Sequence, residues 1–181
     1  MNSSLDFSLG LLQASAARGL DITPLKLQKL MYYCQGYSLV LFNEVCFSEE
    51  IQAWDHGPVC CTVYNHFKPF RSSTIKIDLS IDYLAKLGEK ITRVIDFVLN
   101  EYGAIPAVQL RNMTHNELPW KSVYQKGESN PIPCDLLVSE FQAVQTNRRL
   151  FDVLDSMQDD EDIEIPVEIT NSDQFIAWIR S

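Results

Sequence analysis

The chain is poor in the residues that most reactions and metal sites require. It has three histidines in 181 residues, His56, His66 and His115, and none stands at a His-x-x-x-His or Cys/His ligand spacing. Its five cysteines, Cys34, Cys46, Cys60, Cys61 and Cys134, are odd in number and form no CxxC. That count fits neither a disulfide framework nor a zinc ribbon. No glycine-rich phosphate loop, nucleophile elbow or HExxH is present. No metal or cofactor is therefore expected. No apolar run reaches the roughly 18 residues needed to span a bilayer. The opening "MNSSLDFSLGLLQASAARG" lacks a basic leader and spaces its apolar residues amphipathically, so it does not read as a signal peptide. The expected location is a reducing cytoplasm. Basic residues are also few, 15 Lys and Arg against 24 Asp and Glu, for a net charge of −9. Phosphate contacts need clustered cations, and only Arg148-Arg149 stand together, which reads as a solvated helix face. Direct nucleic-acid binding is not expected.

What is present is ordinary globular material. With 46% hydrophobic and 22% charged residues, the chain suits one domain with an extension. The pattern predicts a mainly α fold: a compact multi-helix domain with a small β element, plus a C-terminal strand/helix extension. A first helix is predicted from about Leu5 to Arg18, capped by Ser4, stopped by Gly19, with Leu5, Leu9, Leu12 and Ala16 as its buried stripe. "DITPLKLQKLMYYCQGYSLVLF" has the clearest start signal: Thr23 caps the free amides and Pro24 has no amide to leave unpaired. Leu27, Leu30, Met31, Cys34, Ser38 and Leu41 share one face, widened by Tyr32, Tyr33 and Tyr37, which predicts a central helix. Gly36 inside it predicts a close helix crossing.

"CFSEEIQAW" and "STIKIDLS" read as two extended segments that pair in a minor sheet. Gly57-Pro58 is expected to open a third helix through Phe67. A long fourth helix is predicted from Ser80 to Tyr102 with Gly103 as its stop. A shorter one starts at Pro106, a turn of helix runs from Trp120 to Lys126, and a last long helix carries Leu137, Phe141, Val144, Phe151 and Leu154. The main domain is placed at 1–142. The remainder, 143–181, holds the end of that helix, an acidic linker (Asp159 to Asp162) and an amphipathic segment with Phe175, Ile176, Trp178 and Ile179, capped by Ser172. Such an apolar face must dock on its own body or on a partner.

Two segments, "IQAWDHGPVCCTVY" and "THNELPW", invite a catalytic reading. Asp55 could orient His56, with His115 or Glu117 as a second acid–base group, and Cys60 at a helix start could carry a lowered thiol pKa. Adjacent residues on an extended chain point apart, however, so Asp55 and His56 make a poor relay. The architectural reading explains more. Gly57 supplies special backbone angles, Pro58 the first helical turn, His56 a brace for the corner, Thr114 or Asn116 a cap, Pro119 a turn start, and Trp120 core volume. The cysteines read as apolar filler.

The stretches "TPLKLQKLMYYCQGYSLVLF", "IQAWDHGPVCCTVYNHF" and "MTHNELPW" together resemble the SocA-like Panacea domain of phage-associated GepA-like proteins. The resemblance covers about residues 5 to 142, and Cys60-Cys61 depart from its usual residues. By position it marks Lys26, Leu27, Gln28, Lys29, Tyr32, Tyr33, Trp54, His56, Gly57, Pro58, Val59, Tyr64, Thr114, His115, Glu117, Pro119 and Trp120. It implies a mainly helical antitoxin domain that neutralises a cognate toxin protein by direct contact, with no catalytic activity. Some members resemble adaptors that present a toxin to a protease. The acidic balance adds that the toxin is basic, since a negative surface speeds its encounter. Three expectations follow: an antitoxin, with a proteolytic adaptor or a small hydrolase using His56, His115 and Glu117 as alternatives; a partner surface near the two histidine-bearing corners; and a contribution from Phe175 and Trp178. A homodimer is compatible with the same sequence, and no membrane contact is expected.

Overall fold

In the computed structural model, residues 2–78 and 80–143 are described. Among these residues, seven α-helices and a three-stranded sheet follow the order α1 (Ser4–Ala17), α2 (Pro24–Phe42), β1 (Gln52–Trp54), β2 (Gly57–Val59), α3 (Cys61–Phe67), α4 (Glu89–Tyr102), α5 (Ala107–Asn116), α6 (Leu118–Val123), β3 (Asn130–Pro131) and α7 (Cys134–Ala143). The mainly α class with a small β element is thus what forms. The C-terminal extension, including Val144, Phe151, Leu154, Ser172, Phe175 and Trp178, lies outside the described residues.

Helix α2 is the axle. The Thr23 side chain accepts from the Lys26 amide and Pro24 occupies the first turn, as the local chemistry dictates. Residues Lys26 to Leu41 are all buried, because α1, α3, α4, α5, α7 and β2 pack around it. Gly36 is the point of closest approach: a Cβ there would fall 2.4 Å from the Phe141 ring of α7. Around that crossing, Tyr32, Tyr33 and Tyr37 set their ring edges or faces against Phe141 at centroid distances of 5.6, 5.9 and 4.9 Å. Such pairs add about 0.5–1.5 kcal/mol each beyond the area they bury.

Several expectations are corrected. Helix α1 is capped by Ser3, whose hydroxyl accepts from the Asp6 amide, not by Ser4. Its buried face carries Phe7, Leu11 and Ala14 with Ser8 and Ser15, while Leu5 and Leu9 are only half-buried and Ala16 is exposed. The serines are cheap to bury because their hydroxyls donate back to the Leu5 and Leu11 carbonyls, at 2.8 and 2.7 Å. The segment at 74–78 makes no strand. Ile75 is buried and its amide donates to the Ile22 carbonyl, so the period-two pattern records docking on the core without a sheet partner. The strand that pairs with β1 is Gly57–Val59, and β3 covers the other side, in the order β2-β1-β3.

Gly57-Pro58 therefore closes a β-hairpin and does not start a helix. Asp55 and His56 form the two-residue tip, and Gly57 takes a φ of +92°. Pro58 pairs with Ala53 on a strand at the sheet's edge, the setting in which a residue without an amide hydrogen is tolerated. Helix α3 begins only at Cys61. Likewise, the predicted helix from Ser80 is interrupted. Leu84–Lys86 is a turn of 3-10 helix, and Gly88, at φ +80°, separates it from α4. The buried stripe continues through Leu87 and Ile91 although the helix does not. Gly103 follows α4 with a right-handed φ of −62°, so it ends the helix by fit and not by a left-handed turn. A Cβ on it would strike the Leu99 carbonyl.

Gly36→Ala should lower the unfolding free energy by about 1–3 kcal/mol, because the Phe141 ring must leave its site between three tyrosines. Chemical denaturation of the purified chain measures it; an unchanged midpoint would show that α2 and α7 do not depend on this contact.

Candidate functional site

The three segments singled out in the sequence come together on one side of α2. Lys29, Tyr32 and Tyr33 stand at i, i+3 and i+4, so one helix face presents an amine and two phenols. Opposite them lie the β1–β2 hairpin and the α5–α6 junction.

Lys29 is fully buried, and its Nζ donates to the Pro58 carbonyl at 2.8 Å. A Cβ on Gly57 would sit 2.8 Å from that Nζ and 2.9 Å from Thr114 Oγ1, so glycine is required both for its φ and for the space. Burial, and then the Arg111 charge, hold the Lys29 amine well below its ordinary 10.5. Gln28 clamps the next step of the chain: its amide accepts from the Cys60 N–H at 2.7 Å and donates to the Cys60 carbonyl at 3.4 Å. Gln35 repeats the device on Cys46 N–H and the Phe47 carbonyl. Lys26 donates to the Gly103 carbonyl behind α4.

The α5–α6 junction differs from the capping role expected for it. Thr114 donates back to the Arg111 carbonyl and Asn116 to the Asn112 carbonyl, and neither caps α6. Glu117 is the cap position by backbone, but its side chain turns inward. Its Oε1 accepts from the Tyr33 hydroxyl at 2.8 Å. The Tyr32 hydroxyl is directed at the same carboxylate, yet neither it nor Oε2 completes a hydrogen bond. The Leu118 amide is served by Glu140 of α7 at 2.9 Å. Burial raises the Glu117 carboxyl above its ordinary 4.5, the two tyrosines oppose that shift, and Glu140 adds to it. Tyr33 in turn stacks on Tyr102 at 4.1 Å, and Tyr102 shares a 2.7 Å hydroxyl contact with Tyr37.

His115 lies flat on Trp120, centroids 4.0 Å apart, and Trp120 on Tyr124 at 4.2 Å. Trp120 donates through Nε1 to the Trp54 carbonyl, and the Tyr124 hydroxyl donates to Asp55. This column ties α5 and α6 to the hairpin. The His115 Nε2 is buried without a hydrogen bond; burial first, then Lys29, Arg111 and His56, lower the imidazole below its ordinary 6.5.

His56 does not brace the corner. It is exposed at the hairpin tip and makes no hydrogen bond among the described residues. It lines a groove of about 620 Å³ together with Trp54, Tyr64, Leu25, Val59 and Gln28. His115 and Glu117 do not line it, so the His56/His115/Glu117 set shares no surface there. Cys60 has a thiol raised by burial, the reverse of an activated nucleophile. Cys34, Cys46 and Cys60 are buried filler, with Cys46 pushed up to about 12, whereas Cys61 is half-buried and Cys134 exposed. Among the described residues no group of three or more His, Cys, Asp or Glu could hold a metal, and no helix is long and apolar enough to cross a membrane. Lys29, which the reading of the residues passed over, proves central, and Tyr33, expected as part of the helix's buried stripe, also holds Glu117. A lysine on an otherwise apolar helix face was the signal.

A family model described as antitoxin SocA-like, Panacea domain, matches residues 27–121, a span that contains α2 from Leu27 onward, the hairpin and the α5–α6 junction. No curated protein and no solved structure matches the chain.

Two substitutions read the cluster in opposite directions. The folded chain holds the Lys29 proton less tightly than the unfolded one, so its stability contribution is complete above pH 10.5 and falls away as pH drops. The wild type should therefore gain stability relative to Lys29→Met as pH rises from about 7 to about 10. Glu117 carries the other sign: its contribution is complete below 4.5 and declines as pH rises. Relative to Glu117→Gln, the wild type should lose stability between about pH 4 and about pH 7. Urea denaturation across pH checks both; parallel profiles of variant and wild type would contradict them.

Proposed function

Because the chain belongs to the antitoxin SocA-like, Panacea domain family, we propose that it is an antitoxin that neutralises a cognate toxin protein by direct binding in the cytoplasm. The match over 27–121 carries this reading. The geometry supports it by sorting the family-motif residues. Lys26, Tyr32, Gly57, Pro58, Thr114, His115, Glu117 and Trp120 are occupied with holding the scaffold, Gln28 both clamps Cys60 and borders the groove, and Trp54, His56 and Tyr64 line it. What remains available for work is a surface for contact, and no reaction is assigned to the buried groups.

The proposed partner is basic. Of the 24 acidic residues nine lie in 144–181, against three of the 15 basic ones, so the excess negative charge is concentrated beyond α7. An acidic segment of that kind raises the encounter rate with a basic protein and makes it salt-dependent. Phe175 and Trp178 are proposed to add apolar contact once the complex forms.

Co-expression with the product of the adjacent gene should restore growth, and the two chains should co-elute with the toxin's half-life unchanged. A toxic neighbour that is neither bound nor rescued rejects the reading; a shortened half-life turns it into delivery to a protease. Deleting 156–181 should weaken rescue and flatten the salt dependence of association.

A further inference from the structure

The groove beside the hairpin tip has a floor and a rim that differ in what they leave unsatisfied. Trp54 and Tyr64 meet edge to face at 5.0 Å, Leu25 and Val59 complete the apolar floor, and Tyr64 is 37% exposed. A large aromatic ring left open beside an apolar floor marks a contact site. The rim is bipolar in charge but not in demand. Its carboxylates are already engaged: Asp55 accepts from Tyr124 and Glu128 from Asn130. Its donors are less fully used. Lys68 reaches only the Asn65 amide oxygen, and neither the Arg71 guanidinium nor the His56 imidazole has a hydrogen-bond partner among the described residues. Arg71 also holds φ 52°, ψ −113°, a conformation that favours glycine. A non-glycine residue kept in such a conformation points to a use for its side chain.

Resting on the partner-binding reading above, we propose that this groove receives a segment of the partner protein that sets an aromatic or branched aliphatic side chain on Trp54 and Tyr64 and an adjacent Asp or Glu against Arg71 and Lys68. The Arg71 guanidinium is the charged group at the rim without a partner among the described residues, so a carboxylate is the group that completes it, and a charge-assisted bidentate contact with Arg71 fixes its direction. The volume of about 620 Å³ suits a short run of side chains. A partner of basic overall charge satisfies this through one local acidic residue, while its basic surface meets the segment beyond α7.

The test needs no toxin. Selection of a displayed random-peptide library on the full chain should enrich a Trp, Phe, Leu or Ile next to Asp or Glu. A synthetic peptide of the enriched sequence should bind roughly tenfold more weakly when its carboxylate becomes the amide, and roughly tenfold more weakly to Tyr64→Ala or Arg71→Gly. Arg71→Gly relieves the backbone, so its melting temperature should hold or rise while binding falls; a mere folding defect would move both down. No enrichment, enrichment without carboxylates, or binding indifferent to these variants overturns the proposal. Enrichment that appears only on a Phe175→Ala/Trp178→Ala chain also overturns it, by showing the chain's own C-terminal segment in the groove. A failed rescue with intact peptide binding rejects the antitoxin reading alone. Lost peptide binding with intact rescue puts neutralisation on another surface.

Discussion

The hydrogen bond from the buried Lys29 amine to the Pro58 carbonyl is the constraint on which the rest of the architecture turns. The Pro58 carbonyl, in a short edge strand pressed against α2, is buried and has no sheet partner on that side among the described residues. Leaving it unpaired costs on the order of 1–3 kcal/mol. The amine that satisfies it must reach through an otherwise apolar face of α2, and it can do so only where the facing residue has no side chain, hence Gly57. The same helix repeats the solution with Gln28, Gln35 and Lys26, each serving backbone groups of a different segment. Helix α2 therefore does more than fill the core. Its polar residues fix where the hairpin, the loop after α2 and the end of α4 sit.

This arrangement makes the protein's polar interior a matter of position more than of net stability. Burying Lys29 and Glu117 opposes the charged form of each, so neither is a strong favourable contribution at neutral pH. What they supply is uniqueness. An apolar residue at 29 would fill the volume but leave the Pro58 carbonyl unanswered, so that Gln28 on Cys60 alone would tie this stretch to α2 by hydrogen bonds. The stacked column His115–Trp120–Tyr124 works in the same direction from the other side, through the Trp54 carbonyl and Asp55. The hairpin is thereby held at both ends while its tip stays in solvent.

Much of this could be read from local chemistry, and the failures have a common cause. Thr23-Pro24 announced α2 because capping is decided by neighbouring residues, and Gly36 announced a crossing because a glycine inside a helix needs a reason. The hairpin was misread because Gly-Pro suits a helix start as well as a turn, and only the pairing of Ala53 with Pro58 separates them. The break at Gly88 was hidden because Leu84 and Leu87 keep the helical phase of the residues after it. The inward turn of Glu117 was invisible for a similar reason: its partner Tyr33 lies 84 positions away. Periodicity reports which side is buried; it does not report what the buried side touches.

A division of labour within one motif follows. In "AWDHGPV" scaffold and surface divide along the ribbon: Ala53 and all of Gly57, Pro58 and Val59 are buried, Trp54 is half-buried, and the tip, Asp55 and His56, is exposed. The β2 strand is buried throughout, while Trp54 on β1 meets Tyr64 of α3 at the groove. The chain spends Lys29, Thr114 and Trp120 to hold that short ribbon in place. Such an outlay makes physical sense if the exposed face must keep its shape while a partner lands on it, since preorganised surfaces lose less entropy on binding. The rigid interior and the open groove are then two sides of one device, with Gly57 at the hinge between them.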